Sequence, residues 1–345
     1  VTSSAASTLV RGVLEECSAA TRTALRSYLR PPEPRSELYD LASDYPGRGG
    51  RALRASLCIA SARAFGATAA EALNSAVGLE LLHNAFLVHD DVEDGSEERR
   101  GAPTMHVLHG IPIAVNVGDA LAVLSLRPLL DNRHTLGPRL TLRILEEAER
   151  MAQESVEGQA TELAWRRDNR LDLDEADYLR MVLKKTCWYS TIYPCRLGAI
   201  IGTRDGVPLD RYMHFAFFLG AAFQIQDDLL NLVGDHDRYG KELSGDIWEG
   251  KRTLVLIRLL ESASPAERIE LGRILGLGRE ARTACDVAWI RERMGAYGCI
   301  DHARRVAHGL AGAAMHEFDL AYGDLPDSRD RRFLQSLPTW VLERA

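Results

Sequence analysis

Residues 73–94 read LNSAVGLELLHNAFLVHDDVED, and their pattern decides the fold class. Apolar side chains recur at the three- and four-residue spacing of a helix face, without the strict alternation a strand needs. The stretch ends in Asp90, Asp91 and Asp94, at i, i+1 and i+4, so Asp90 and Asp94 share one face. Like charges at that spacing repel, and a helix that carries them beside an apolar stripe invites a counter-ion. Carboxylate oxygens suit a hard cation such as magnesium.

Outward from this segment, helical periodicity recurs along nearly the whole chain with few β-branched alternating runs, and an all-α fold follows. Breaks rich in Gly, Pro, Asp and Asn fall at 31–35, 43–50, 95–103, 131–138, 202–210, 234–251 and 323–330. None is long or polar enough for an interdomain linker. Residues 1–345 are therefore expected to form one domain, with 1–35 as an N-terminal helical segment.

The 345 residues are 46% hydrophobic, enough to bury a large core and to exclude a disordered chain. A net charge of -7 argues against a general nucleic-acid binder, which needs a basic face. Six scattered cysteines with no CxxC pair imply neither a disulfide framework nor a zinc site, and point to a reducing, cytoplasmic setting. No stretch approaches the run of about 18 apolar residues that a membrane helix needs, and the first residues lack the apolar centre of a secretory signal. No stable membrane anchor is expected.

A second acidic cluster lies in residues 212–233, YMHFAFFLGAAFQIQDDLLNLV. Asp227, Asp228 and Asn231 repeat the i, i+1, i+4 geometry, with Gln224 one turn earlier. Here the carboxylates stand within an apolar helix, where unpaired charges are costly. A metal site shared between two facing helices accounts for both clusters, and cations held by such walls make a socket for a diphosphate. Of 42 basic residues only four are lysines: Lys184, Lys185, Lys241 and Lys251. Three of them accompany the acids. Lys185 lies with Thr186 on a third helix, Lys241 and Lys251 bracket the loop after the second cluster, and Arg99 and Arg100 follow the first. His83 stands two turns before Asp90 on the same face, about 10 Å along the axis.

These residues resemble the trans-isoprenyl diphosphate synthases, the polyprenyl synthetase family that includes farnesyl and geranylgeranyl diphosphate synthases. LLHNAFLVHDDVEDGSEERRGAPTMH is similar to the family's first aspartate-rich motif, and FQIQDDLLNLVGDHDRYGKELSGDIWEGKRT to its second. The resemblance covers nearly the whole chain. It implies a helical bundle around a central cavity, a homodimer, and three magnesium ions per active site held by Asp90, Asp91, Asp94, Asp227 and Asp228, with Asn231 in place of the usual last aspartate. It further implies that Arg99, Lys185, Thr186, Gln224, Lys241 and Lys251 contact an allylic diphosphate. Isopentenyl diphosphate would be bound by Arg51, Arg54, His83 and Arg100, although GGRALRA at 49–55 departs from the family's GGKRLRP.

The implied reaction is ionisation of the allylic diphosphate, condensation with isopentenyl diphosphate and loss of a proton, with no protein nucleophile. Residues 234–251 would close as a lid. Product length is expected to depend on the positions five and four before Asp90, Ala85 and Phe86. A small Ala85 argues against the shallowest floor and Phe86 against very long chains, so geranylgeranyl diphosphate is the expected product. The alternatives are a farnesyl diphosphate synthase, a non-catalytic subunit of a heteromeric synthase, and a class I terpene cyclase. The last is disfavoured because its second motif carries an Asn, Ser and Glu pattern rather than DDLLN.

Overall fold

The structure is a computed structural model that describes residues 3–30, 33–234 and 244–343; Lys241 and half of the expected lid lie outside the described residues. Its longer helices, in chain order, are α1 (Ser3–Tyr28), α2 (Leu53–Ala64), α3 (Ala69–Asp94), α4 (Ile111–Asp131), α5 (Pro138–Arg167) and α6 (Glu175–Val182). They continue as α7 (Tyr193–Thr203), α8 (Met213–Val233), α9 (Leu254–Ser262), α10 (Pro265–Leu275), α11 (Ala284–Ala296), α12 (Cys299–Tyr322) and α13 (Arg329–Glu343). The strands among the described residues are β1 (Glu98–Arg99) and β2 (Ala102–Pro103), a two-stranded antiparallel turn after α3. The all-α expectation holds.

Helix α3 begins at a capping box: the Thr68 hydroxyl accepts from the Glu71 N–H, and the Glu71 carboxylate accepts from the Thr68 N–H at 2.8 Å. It ends at Gly95, whose φ of 65° places it in the left-handed region that favours glycine. Asp90, Asp91 and Asp94 thus occupy the last two turns, where the helix dipole disfavours anions and cations are called for.

Both sides of α3 are buried, which explains why its apolar residues are not confined to one narrow stripe. On one side it joins the main core, which runs from Val10 on α1 through α2 and α5 to α9 and on to Val341 on α13. On the other, Val77, Leu81, Ala85 and Val88 fill a second core with Leu25 of α1 and Val117 and Leu121 of α4.

Between α6 and α7 the chain runs through a π-helical stretch, Leu183–Ile192, where sequence periodicity anticipates an ordinary helix. The Tyr193 N–H bonds the carbonyl of Trp188, five residues back. Pro194 follows directly, and in a continuous α-helix its ring would collide with the carbonyl four residues earlier; the wider turn relieves that contact. Two glycines let the flanking helices close on this stretch. A Cβ at Gly158 of α5 would sit 2.1 Å from the Lys185 nitrogen, and one at Gly220 of α8 would sit 2.5 Å from Thr191 Oγ1.

The expectation that no segment reaches membrane-span apolarity is corrected at residues 111–134, which meet it by length and mean hydropathy. The cause is an apolar surface added to an apolar core face. Val117 and Leu121 are buried against α3, whereas Ile111, Val115, Val123, Leu126 and Leu130 are exposed.

Candidate active site

A cavity of about 390 Å³ opens between α3, α5, the π-helical stretch and α8. Asp90 faces Asp227 and Asp228 across it, so the two acidic clusters do meet. The Asp90 carboxylate lies 3.4 Å from both Lys185 Nζ and Arg99 Nη2. Asp94, one turn on, is buried and paired with Lys251 at 2.6 Å and with Arg166. Burial pushes its carboxyl up to about 6, with Asp90 adding to the effect and Lys251 opposing it.

Asp91 does something else. It is fully buried and does not line the cavity. Arg99 Nε donates to its Oδ1 at 2.7 Å and the Tyr45 hydroxyl to its Oδ2 at 2.5 Å. Asp91, expected as a metal ligand, is held in this structure as the ion-pair partner of Arg99. It lies about 100° around the helix from Asp90, so the two point different ways, and both its oxygens are engaged.

On α8, Asp227 and Asp228 line the cavity and Asn231 does not. The Thr186 hydroxyl donates to Gln224 Oε1 at 2.9 Å, and Gln224 Nε2 donates to Asp228 Oδ1 at 2.7 Å. The Tyr178 hydroxyl donates to Asp228 Oδ2 at 2.8 Å. Burial pushes the Asp228 carboxyl up to about 7 although both hydrogen bonds favour its charge. Asn231, also expected at the metal, is engaged with the chain after it in this structure. Its Oδ1 accepts from the Asp246 N–H at 3.1 Å, tying the short helix Gly245–Glu249 to α8.

Lys185 is paired with Glu162 of α5 as well as with Asp90, and Lys251 reaches Glu249 at 2.8 Å in addition to Asp94. Despite burial, these carboxylates hold both ammonium groups above the usual lysine range. No three acidic, His or Cys side chains are already gathered as a ligand set among the described residues. The donors still fit a hard divalent cation. They are all carboxylate oxygens, and the raised pKa values of Asp94 and Asp228 mark buried negative charge that a cation would relieve.

The residues expected at the second diphosphate divide. Arg54, His83 and Arg100 line the cavity. Arg54 Nη1 lies 3.3 Å from His83 Nε2, and burial together with Arg54 keeps His83 well below the usual histidine range, hence neutral. Arg100 donates to the Tyr45 carbonyl at 3.1 Å, and burial lowers it to about 10. Arg51 points elsewhere. Its guanidinium sits 5.8 Å from the Trp340 ring and lines a separate cavity of about 570 Å³ between α1 and α13. The length-setting pair divides too. Phe86 lines the cavity, while Ala85 is buried in the α3–α4 seam, which corrects the expectation that both face the product.

Sequence reasoning missed Tyr45, Tyr178, Glu162, Arg166 and Tyr189, all of which contact the site residues. For Tyr178 and Tyr189 a signal existed: they lie two turns before and one turn after Lys185, on the side that carries it. Nothing local marks Tyr45.

A sequence-family model described as polyprenyl synthetase matches residues 35–294. The chain is 33% identical over 296 residues to a short chain isoprenyl diphosphate synthase of Methanothermobacter thermautotrophicus, covering 86% of this chain and 87% of that protein. Its structure superposes with a TM-score of 0.84 on a geranylgeranyl pyrophosphate synthetase of Pyrococcus horikoshii, at 29% identity and with 98% of each chain covered. It superposes with a TM-score of 0.85 on a polyprenyl synthase of Caulobacter crescentus complexed with calcium and isoprenyl diphosphate, at 26% identity and with 98% of each chain covered.

Proposed function

The chain belongs to the polyprenyl synthetase family and is a trans-prenyltransferase of the short-chain isoprenyl diphosphate synthase kind, and from that premise we propose that it makes geranylgeranyl diphosphate. The observation that carries the reading is the meeting of Asp90 with Asp227 and Asp228 across one cavity that also holds two separate groups of cations. Asp90, Asp227 and Asp228, which line the cavity, would hold magnesium, joined by Asp94 on release from its ion pairs with Lys251 and Arg166. Bound magnesium supplies Lewis-acid stabilisation of the departing diphosphate.

The chain's own residues do the rest. Arg99, Lys185 and Lys251 grip the allylic diphosphate with the charge that now pairs with Asp90 and Asp94. Arg54, His83 and Arg100 hold the isopentenyl diphosphate so that its double bond faces the allylic carbon. Phe86, Leu87, Met181 and Phe223 give the allylic tail an apolar wall and keep water from the carbocation. The proton lost after condensation passes to the released diphosphate.

The cores link Val10 to Val341, which suits one working unit over 1–345. A second copy of the chain covers the exposed apolar face of α4, where Ile111, Val115, Val123, Leu126 and Leu130 stand in solvent. Six unpaired thiols suit the cytoplasm. Incubation with magnesium, isopentenyl diphosphate and dimethylallyl, geranyl or farnesyl diphosphate, read by mass spectrometry after dephosphorylation, tests the activity. A twenty-carbon alcohol is expected, and none should form in chelator. A fifteen-carbon end product overturns the length assignment, and no elongation of any primer overturns the reading as a whole. Light scattering on the purified protein tests the dimer.

A further inference from the structure

The cations of the cavity fall into two classes by what holds them. Arg99, Lys185 and Lys251 are each within ion-pair distance of carboxylates. Arg54 is not: no carboxylate lies within ion-pair distance of it among the described residues. Arg54 Nη2 donates to the Tyr189 hydroxyl at 2.9 Å, its guanidinium carbon lies 4.4 Å from the centre of the Tyr189 ring, and Nη1 faces neutral His83. Its Nε is buried with no hydrogen-bond partner, as is His83 Nδ1. The Tyr189 ring is itself fixed, meeting Phe86 edge-on at 5.5 Å and His83 at 5.9 Å.

An ion pair would also hold Arg54 still, but it would spend the charge that an incoming anion needs. A phenol oxygen and an aromatic face orient a guanidinium and leave its net charge uncompensated. Glu80 acts on Arg54 electrostatically but lies beyond ion-pair distance, and its carboxylate accepts from the Ala55 N–H at 3.4 Å. No ion pair therefore holds the arginine among the described residues, and its contacts are to the Tyr189 hydroxyl and ring and to His83.

We propose that Tyr189 is a positioning residue that holds Arg54 oriented and un-neutralised for the diphosphate of isopentenyl diphosphate. The role rests on the synthase reading above and deepens it. Tyr189 acts through Arg54 and takes no part in ionisation, so its loss weakens the second substrate selectively.

The experiment is calorimetric titration of isopentenyl diphosphate into the full-length protein in chelator, without allylic substrate, for wild type, Tyr189→Phe, Tyr189→Leu, Arg54→Gln and the double variant Arg54→Gln/Tyr189→Phe. Thermal unfolding confirms that each is folded. Tyr189→Phe keeps the ring and loses the acceptor, and it should raise Kd about tenfold, the size of one charge-assisted hydrogen bond. Tyr189→Leu loses both contacts and should raise Kd further. In the Arg54→Gln background Tyr189→Phe should add nothing, because the residue acts through the arginine. Steady-state kinetics should show KM for isopentenyl diphosphate rising far more than KM for the allylic substrate or the fall in kcat.

Unchanged Kd in both Tyr189 variants overturns the proposal, as does a full additional loss in the Arg54→Gln background. A drop in kcat with Kd unchanged overturns it in favour of a role in the chemistry. A wild type that elongates primers while these variants bind normally refutes this inference alone, whereas a wild type that neither binds isopentenyl diphosphate nor elongates any primer refutes the synthase reading with it.

Discussion

The Tyr45 hydroxyl sits 2.5 Å from Asp91 Oδ2, and the Tyr178 hydroxyl sits 2.8 Å from Asp228 Oδ2, so each acidic cluster has a second aspartate held from behind by a buried tyrosine. Both tyrosines are kept protonated by burial and by the carboxylate they face. Asp91 does not line the cavity, whereas Asp228, with both oxygens likewise hydrogen-bonded, does.

Asp90→Asn and Asp91→Asn should therefore fail in different ways. Asp90→Asn leaves the fold intact and lowers kcat by a factor on the order of 10³, as removal of electrostatic stabilisation at a reacting centre does. Asp91→Asn leaves Arg99 buried with its partner neutralised, and should cost about 3 kcal/mol of stability in urea unfolding. Equal stability of the two variants would contradict the assignment.

Phe86 faces the cavity and Ala85 faces the α3–α4 seam. Phe86→Ala should lengthen the product, visible by mass spectrometry as chains beyond that of the wild type. Ala85→Phe should instead overpack the seam, costing about 1–3 kcal/mol of stability. A clean shortening of product in a fully stable Ala85→Phe would contradict this placement.

Arg196 grips Glu147 with two hydrogen bonds of 2.7 and 2.9 Å, and Arg143 adds a contact of 2.8 Å. Burial would raise the Glu147 carboxyl, but the two arginines outweigh it and hold it below the usual value. A carboxyl lowered in the folded state binds fewer protons there than when unfolded. Its stabilisation is present above the ordinary glutamate range and is lost as pH falls through that range toward the folded value. Arg196→Gln should cost about 3–5 kcal/mol at neutral pH by leaving the carboxylate under-paired, and the loss should shrink as pH falls below about 4. Urea melts at two pH values measure both.

Gly158→Ala places a methyl group where the Lys185 backbone now lies. The π-helical stretch must shift, taking Lys185 away from Asp90 and Glu162. Turnover should drop along with thermal stability, while Gly309→Ala, at a glycine with nothing within 4 Å of an added Cβ, should change neither.

Much of the site was legible because its residues come in short spacings on single helices. Asp90 and Asp94 on α3, and Asp227 and Asp228 on α8 with the polar Gln224 one turn earlier, announce themselves by polar groups placed against an apolar pattern. Spacing fixes the angle between neighbours around a helix but not which of them faces the cavity. Asp91, Asn231 and Ala85 are thus expected at the cavity from sequence and are found with Arg99 and Tyr45, with the Asp246 N–H, and in the α4 seam. Arg51 was placed by its motif, yet Trp340 on the last helix draws it to another cavity.

Sequence by itself determined the helical class, the two acidic clusters and the lysines that serve them, because hydrophobic period and local charge act within one helix. Only the tertiary structure decided that Tyr45, Tyr178, Glu162 and Tyr189 support the site. Their partners lie on other elements, and burial by the packed helices is what turns those contacts from solvated side chains into fixed orientations and shifted charge.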